Sequence, residues 1–348
     1  MALGAAIAHT LTRMFGRLVF VVALVGCGQQ TQTDSADAPL DADAPLAEAA
    51  SDTTDASDAH EVHESATSDA SEEEAPPVPE TLAETGLYKD IATLTLADGV
   101  TPFTVVYPLW SDGAEKSRWM WLPPGTSIDK TDPDHWTYPK GMKAWKEFRV
   151  AGKRIETRFL EKTGEGSWGW RYVAYAWTSD GKSAKAARAG VKNALGTTHE
   201  IPSQEHCDQC HSGTRDGLIG PGAIQFGVVK PPGKDLVQET LGYLHGNCGF
   251  CHSDFGRWAT ARALRLKVRV TDTDPAKTPT YLTLINAKMS HADIAGEPFI
   301  GVVPGQPDKS HIVYRMSKRD GVWNMPPVGT NVVDEVGLAR VRAWITAL

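Results

Sequence analysis

The sequence predicts a multidomain chain in which a β-sandwich-like domain of antiparallel strands precedes a mainly α-helical domain. Two observations predict this order. Residues 81–200 contain short runs of alternating apolar and polar residues, separated by turn signals such as Ser-Asp-Gly and Pro-Pro-Gly. Residues 201–348 lose this alternation and contain two segments with apolar residues at helical spacing, joined by proline-rich loops.

The composition excludes several classes of function. The chain has 348 residues, a mean hydropathy of −0.30 and only one long apolar run, which excludes a multi-spanning membrane protein. The formal net charge of −8 comes from residues 28–80, which hold fifteen acids and no Lys or Arg, whereas residues 81–348 carry +5. This positive excess is small and unclustered, so nucleic-acid binding is not predicted.

The N-terminus is typical of a bacterial export signal. A basic residue precedes an apolar run at residues 18–25, which is too short to span a bilayer comfortably. The run ends in Leu24-Val25-Gly26-Cys27, which resembles a lipobox. The resemblance implies that residues 1–27 are a lipoprotein signal peptide and that Cys27 is acylated, which anchors the chain stably. Because Gly28 is not Asp, it implies sorting to the outer membrane, facing the periplasm. An uncleaved anchor helix and a plain signal peptide are the alternatives.

Residues 28–80 consist mainly of Asp, Glu, Ala, Ser, Thr and Pro, with no aromatic residue. Such a segment cannot bury enough apolar surface to offset chain entropy, and its like charges repel one another. We predict a disordered acidic tether. Residues 81–200 then contain eight of the 11 Trp. We expect these to fill the core of a Trp-rich β domain rather than to form a sugar-binding platform.

The mainly helical region, residues 201–348, has two predicted helices. The first runs from Asp235 to Asn247, where apolar residues recur at helical spacing. The second is the C-terminal segment from Asp334 to Leu348, which begins with acidic residues, as helix N-termini favour.

Four of the five cysteines form two motifs of the pattern C-x-x-C-H. The first motif is Cys207-Asp208-Gln209-Cys210-His211, and the second is Cys248-Gly249-Phe250-Cys251-His252. In this pattern two thiols add to the vinyl groups of one haem and the imidazole binds its iron. Thioethers also suit an oxidising compartment, where free thiols do not persist. The sequence therefore predicts two covalent c-type haems, bound through Cys207, Cys210, Cys248 and Cys251, with iron ligands His211 and His252.

Other interpretations of the motifs use the cysteines alone. The two C-x-x-C pairs could form a zinc ribbon with four thiolate ligands, two local disulfides or a thioredoxin-like redox pair. None of these requires a His after each pair, so haem attachment is favoured.

The surroundings of the second motif resemble class I cytochrome c. A predicted helix with Gly242-Tyr243 leads into the motif, a loop with Asn324-Met325-Pro326-Pro327 follows, and the chain ends in another predicted helix. The resemblance implies a cytochrome c-like C-terminal domain in which Met325 is the second ligand of the iron bound by His252. A core position is the alternative for Met325.

The first motif cannot have a cytochrome domain of its own. Only 36 residues separate His211 from Cys248, and a self-contained cytochrome fold needs on the order of 80–100 residues. We expect this haem to share walls with the β domain or with the second haem's domain. Its second ligand stays open, and the iron could also lack one, which would make a reactive five-coordinate site. The candidates are His245, Met289, His291, His199, His206, Met120 and Met142.

Residues 85–348 also resemble a recurrent group of bacterial proteins that join a PLWSDGAxKxRW…LPxG pattern to C-x-x-C-H segments. The pattern lies here at residues 108–119 and 122–125. The resemblance implies a dihaem c-type cytochrome and no particular substrate. Three polar residues of the pattern, Asp112, Lys116 and Arg118, could bind an anion or a sugar. They could also form a turn with a local ion pair, which is the commoner arrangement.

These features predict an exported, lipid-anchored dihaem c-type cytochrome of the bacterial envelope, which transfers electrons to a redox partner protein in the periplasm. One alternative is a haem-dependent periplasmic oxidoreductase whose β domain binds the substrate. Another is a non-catalytic envelope-binding module stabilised by zinc or disulfides. An electron carrier is favoured over a substrate-specific enzyme, and no catalytic residue is predicted.

Overall fold

The computed structural model describes residues 77–211, 214–256, 263–292, 298–321 and 323–348. The predicted signal peptide, Cys27 and all of the predicted tether except its last four residues lie outside the described residues. The predicted β and helical regions belong to one compact unit, residues 71–348.

Antiparallel strands dominate the N-terminal part of this unit. A small hairpin of β1 (Tyr88–Asp90) and β2 (Thr95–Leu96) precedes a six-stranded sheet whose strands neighbour one another in chain order. The antiparallel prediction is confirmed, although the arrangement is one meandering sheet beside a hairpin and not two large stacked sheets. The strands of the sheet are β3 (Thr101–Pro102), β4 (Glu115–Trp121), β5 (Lys143–Val150), β6 (Lys153–Lys162), β7 (Trp170–Trp177) and β8 (Ala184–Ala186).

The two faces of the sheet differ because successive side chains of a strand point to opposite sides. The register places Trp145 of β5 opposite Phe159 of β6, and Lys146 opposite Arg158. The face with Trp145, here called the hairpin face, is covered by the hairpin and the residues before it. Its buried core consists of Leu82, Leu87, Tyr88, Trp145, Phe159, Val173, Tyr175, Trp177 and Ala184. The opposite face, here called the cavity face, carries Arg118, Lys146 and Arg158.

Residues 77–80, the last four of the segment predicted as a tether, contact the sheet and its core. Val78 packs against the core of the hairpin face, and the Tyr175 hydroxyl donates a hydrogen bond to the Pro79 carbonyl (2.8 Å). Burial of an apolar side chain and a long-range hydrogen bond therefore order these residues.

Helices joined by loops make up the C-terminal part, together with a small antiparallel pair of β9 (Lys288–Ala292) and β10 (Pro298–Ile300). Both predicted helices are confirmed, as α2 and α5. No helix among the described residues is long and apolar enough to cross a membrane. The helices are α1 (Gln204–His211), α2 (Asp235–Asn247), α3 (Pro279–Leu284), α4 (His311–Ser317) and α5 (Glu335–Thr346).

Helices α2 and α5 pack against each other and fix the start of the second motif. One Asp334 carboxylate oxygen caps α5 by accepting from the Gly337 N–H (2.9 Å), and the other accepts from the Tyr243 hydroxyl of α2 (3.0 Å). A Cβ atom on Gly337 would lie 2.3 Å from that hydroxyl, so this close approach requires glycine. Leu244 and Trp344 are fully buried in the shared core.

Polar contacts tie the sheet to the C-terminal part. Asp216 is buried and accepts from Lys162 Nζ (2.6 Å) and from the Tyr138 backbone N–H (2.7 Å). The Asp112 carboxylate accepts from the backbone N–H groups of Asn331 and Val332 (both 2.9 Å). Asp112 therefore joins two distant segments instead of forming the expected local ion pair.

Candidate functional site

The first motif lies at the C-terminal end of α1. Because Cys207 and Cys210 are three residues apart in a helix, their thiols share one face of it, and His211 is the last helical residue. All three side chains line a cavity of about 280 Å³, here called the first cavity, between α1 and the cavity face of the sheet.

His211 is held in one tautomer. Its Nδ1 lies 2.6 Å from the Gly217 carbonyl oxygen, which can only accept, so the proton is on Nδ1 and the Nε2 lone pair is available. The ring packs on Tyr172 with 4.4 Å between centroids. Burial lowers the pKa of His211 to about 4, which keeps the imidazole neutral. A neutral imidazole oriented through its second nitrogen has the form that metal-ligating histidines take.

The second motif directly follows α2, and hydrogen bonds of the helical i to i−4 type continue into it. The Cys248 N–H donates to the Leu244 carbonyl (2.9 Å), and the His252 N–H donates to the Cys248 carbonyl (2.9 Å). Cys248, Cys251 and His252 line a cavity of about 500 Å³, here called the second cavity. Burial raises the pKa of the Cys248 thiol to about 12, so this sulfur lies in an apolar setting.

Met325 lines the second cavity together with the second motif. Its loop is held in place, since the Met325 N–H donates to the Arg315 carbonyl (3.0 Å) and the Asn324 amide donates to the Pro326 carbonyl (2.9 Å). The Met325–Pro326 peptide bond is cis. Three other potential ligands line the same cavity: Met289, His311 and Met316.

The two cavities adjoin each other. Their shared lining residues are Trp110, Phe250, Cys251, Pro326 and Pro327. Cys251 of the second motif lines the first cavity together with Cys210 of the first motif, and a hydrogen bond from Cys251 lowers the pKa of Cys210. The fold therefore brings together two motifs that are far apart in the sequence.

The sequence predicts several candidates for the second iron ligand at the first motif. Among those whose side chains are described, only His206 lines the first cavity. It precedes Cys207 on the same helix, and its Nδ1 lies 3.2 Å from the Ser203 hydroxyl. The side chain of His291 lies outside the described residues.

The other candidates lie elsewhere. His245 accepts the Val268 N–H at Nδ1 (3.2 Å), which places its own proton on Nε2 and leaves no lone pair for a metal. His199 contacts Glu156 through Nε2 (2.8 Å). Met289 lines the second cavity, and the two remaining candidates pack in the apolar core on the cavity face of the sheet: Met120 and Met142.

The first cavity has a cationic wall, formed by Arg118, Lys146 and Arg158. These residues come from β4, β5 and β6, and the register places Lys146 directly opposite both Arg118 and Arg158. Burial, and then the two guanidinium groups, hold the pKa of Lys146 well below its usual range. Of these three residues, only Arg118 is a candidate from the sequence. The alternation of Trp145 with Lys146 and of Phe159 with Arg158 was a usable signal, but their convergence depends on strand register.

The four thiols do not converge on one point. In the part of the chain that the structure describes, no group of three or more His, Cys, Asp or Glu side chains is arranged to hold a metal ion. The four cysteines are also not joined in disulfides.

Comparisons of this chain with protein-family models, curated proteins and solved structures find no match. The functional assignment therefore depends on the chemistry of the two motifs and their cavities.

Proposed function

We propose that this chain is an exported, lipid-anchored dihaem c-type cytochrome that transfers electrons in the bacterial periplasm. The observation that carries the proposal is that each C-x-x-C-H motif places both thiols and its imidazole on the wall of one cavity. The cavity volumes, about 280 and 500 Å³, lie close to or within the range of about 300–1,000 Å³ for ligand sites. When bound, haem supplies a one-electron redox couple whose potential depends on its axial ligands and burial.

The chain's own residues fit this role. The thiols would attach the porphyrins covalently, and His211 and His252 would bind the irons. The position of Cys251 on the walls of both cavities supports electron transfer from one group to the other, because it brings the two attachment points together. A cytochrome c-like fold of residues 201–348 is part of the proposal, and the packing of α2 against α5 supports it. Lipidation at Cys27 and a protein redox partner are proposed from the sequence.

Met325 is proposed as the second ligand of the iron at His252, and Met325→Ala tests it in the matured protein. We expect an unchanged haem count, a change of one ferric haem from low spin to high spin, and a lower reduction potential, because a Met/His ligand pair raises the potential. Met316→Ala is the matched control, since Met316 lines the same cavity. A wild-type spectrum in Met325→Ala, with loss of the low-spin signal in Met289→Ala, His311→Ala or Met316→Ala, would reassign the ligand.

A haem-dependent oxidoreductase is the second candidate function, and the first cavity favours it. Apart from His206, no described His or Met that could be a second ligand lines this cavity. We expect the reduced, matured protein to bind one equivalent of carbon monoxide, and we expect the double variant Cys207→Ala/Cys210→Ala to bind none. If the wild type binds no carbon monoxide and His206→Ala binds one equivalent, His206 is the second ligand of the first iron. The electron-carrier function is then the only one supported.

A further inference from the structure

We propose that the cationic wall of the first cavity is a binding site for carboxylate or similar oxyanion groups, held beside the haem attached at the first motif. This inference rests on the proposed function for the identity of its neighbour, but the charges that carry it belong to the sheet itself.

The wall has more positive charge than the protein around it neutralises. Arg158 forms a two-point ion pair with Glu156 (2.6 and 3.1 Å), and that carboxylate also contacts His199 (2.8 Å). Within the described residues, the side chains of Arg118 and Lys146 form no hydrogen bond or ion pair, and the Lys146 ammonium lies over the Phe148 ring (4.9 Å). Glu156 is the carboxylate that acts on Lys146, but it is bonded to Arg158 and His199, so two cations line the cavity without an ion-pair partner of their own.

Glu147, the neighbour of Lys146 on β5, is a charged residue whose charge the protein does neutralise. Its buried carboxylate is paired with both Arg149 (2.6 Å) and Arg154 (3.0 Å). Buried charges in proteins are normally paired in this manner, because removing an unpaired charge from water costs far more free energy. Arg118 and Lys146 are half-buried and line the cavity without such a partner, so a ligand with negative charge in the cavity would supply it.

The geometry favours a flat, two-oxygen anion. A guanidinium group presents parallel N–H donors that match the two oxygens of a carboxylate, whereas an ammonium acts as a point charge. The register places one of each directly side by side, Arg118 with Lys146. An anion bound between them would also raise the lowered pKa of Lys146 towards its usual value.

Two sources could supply this anion, namely the propionate groups of the porphyrin at the first motif or a free small oxyanion that enters the cavity. The test uses the full-length matured protein, with the haem count measured first. The variants are Lys146→Met and Arg118→Gln, and Lys153→Met is the control, because Lys153 is an exposed lysine at the start of β6. The readouts are the haem propionate bands in the resonance Raman spectrum and calorimetric titrations with sodium formate and sodium nitrite.

If the propionates occupy the site, both variants shift the propionate bands, the control does not, and the wild type shows no saturable binding of formate or nitrite. If a free anion occupies it, the wild type binds formate or nitrite saturably, each variant weakens this binding roughly tenfold or more, and the bands stay in place. A protein with two haems that shows neither effect would overturn the inference. A protein with no haem at the first motif would overturn the proposed function there, and saturable anion binding would then still support the site.

Discussion

Replacing both cysteines of the second motif, Cys248→Ala with Cys251→Ala, is expected to remove one haem per chain and to lower the free energy of unfolding of the matured protein by about 5 kcal/mol or more. The second cavity measures about 500 Å³, and core residues such as Leu266, Leu284 and Met316 line it. Single Leu→Ala substitutions, which leave much smaller cavities, already cost about 2.7–5 kcal/mol. Denaturant unfolding, followed by far-UV circular dichroism, measures the loss.

The matching double variant of the first motif, Cys207→Ala with Cys210→Ala, is expected to lose the other haem with a smaller loss of stability, because its cavity is about 280 Å³. Cys27→Ala serves as the control and should retain both haems. Two haems in either double variant, or an unchanged unfolding midpoint after loss of the second haem, would contradict this expectation.

Lys162→Met is expected to destabilise the protein by about 3–5 kcal/mol, because breaking a buried ion pair leaves an uncompensated charge. The Lys162 ammonium lies 2.6 Å from Asp216, and their side chains are 0% and 8% exposed. Asp216 would keep two donors, the Tyr138 N–H (2.7 Å) and the Trp170 indole N–H (3.3 Å), which cannot replace the lost charge. Denaturant unfolding measures this effect as well.

The double variant Lys162→Met/Asp216→Asn removes both charges and should recover part of the lost stability, which a double-mutant cycle would report as coupling between the two sites. Arg188→Met is the control, because it breaks the exposed pair of Arg188 with Glu80 and should leave the midpoint almost unchanged. Equal effects of Lys162→Met and Arg188→Met would show that burial does not govern the contribution of the Lys162 pair.

Elements with strong local signals could be predicted from the sequence. Helix α2 occupies the predicted range, because its apolar residues follow the helical period without interruption. Helix α5 begins one residue after the predicted start, since Asp334 is its N-cap. Strands β4 to β7 each overlap one alternating run of the sequence, because side-chain alternation is a local property, whereas the alternating run at residues 103–107 forms no strand.

Features that depend on tertiary contacts could not be predicted. Trp168 and Trp170 have the spacing of one strand face, but β7 begins at Trp170, so Trp168 is 78% exposed while Trp170 is buried. The position of Cys210 and Cys251 on one cavity wall depends on helix packing, and the convergence of Lys146 with its neighbouring cations depends on strand register. A single sequence does not specify which segments pair across such distances.

The most direct test of the proposed haem attachment is the pyridine haemochrome spectrum and intact mass of the chain, expressed in a host with a c-type cytochrome maturation system. Two thioether-linked haems per chain are expected, one on Cys207 and Cys210 and one on Cys248 and Cys251. A colourless protein, whose mass shows these four cysteines as free thiols or disulfides, would contradict the assignment.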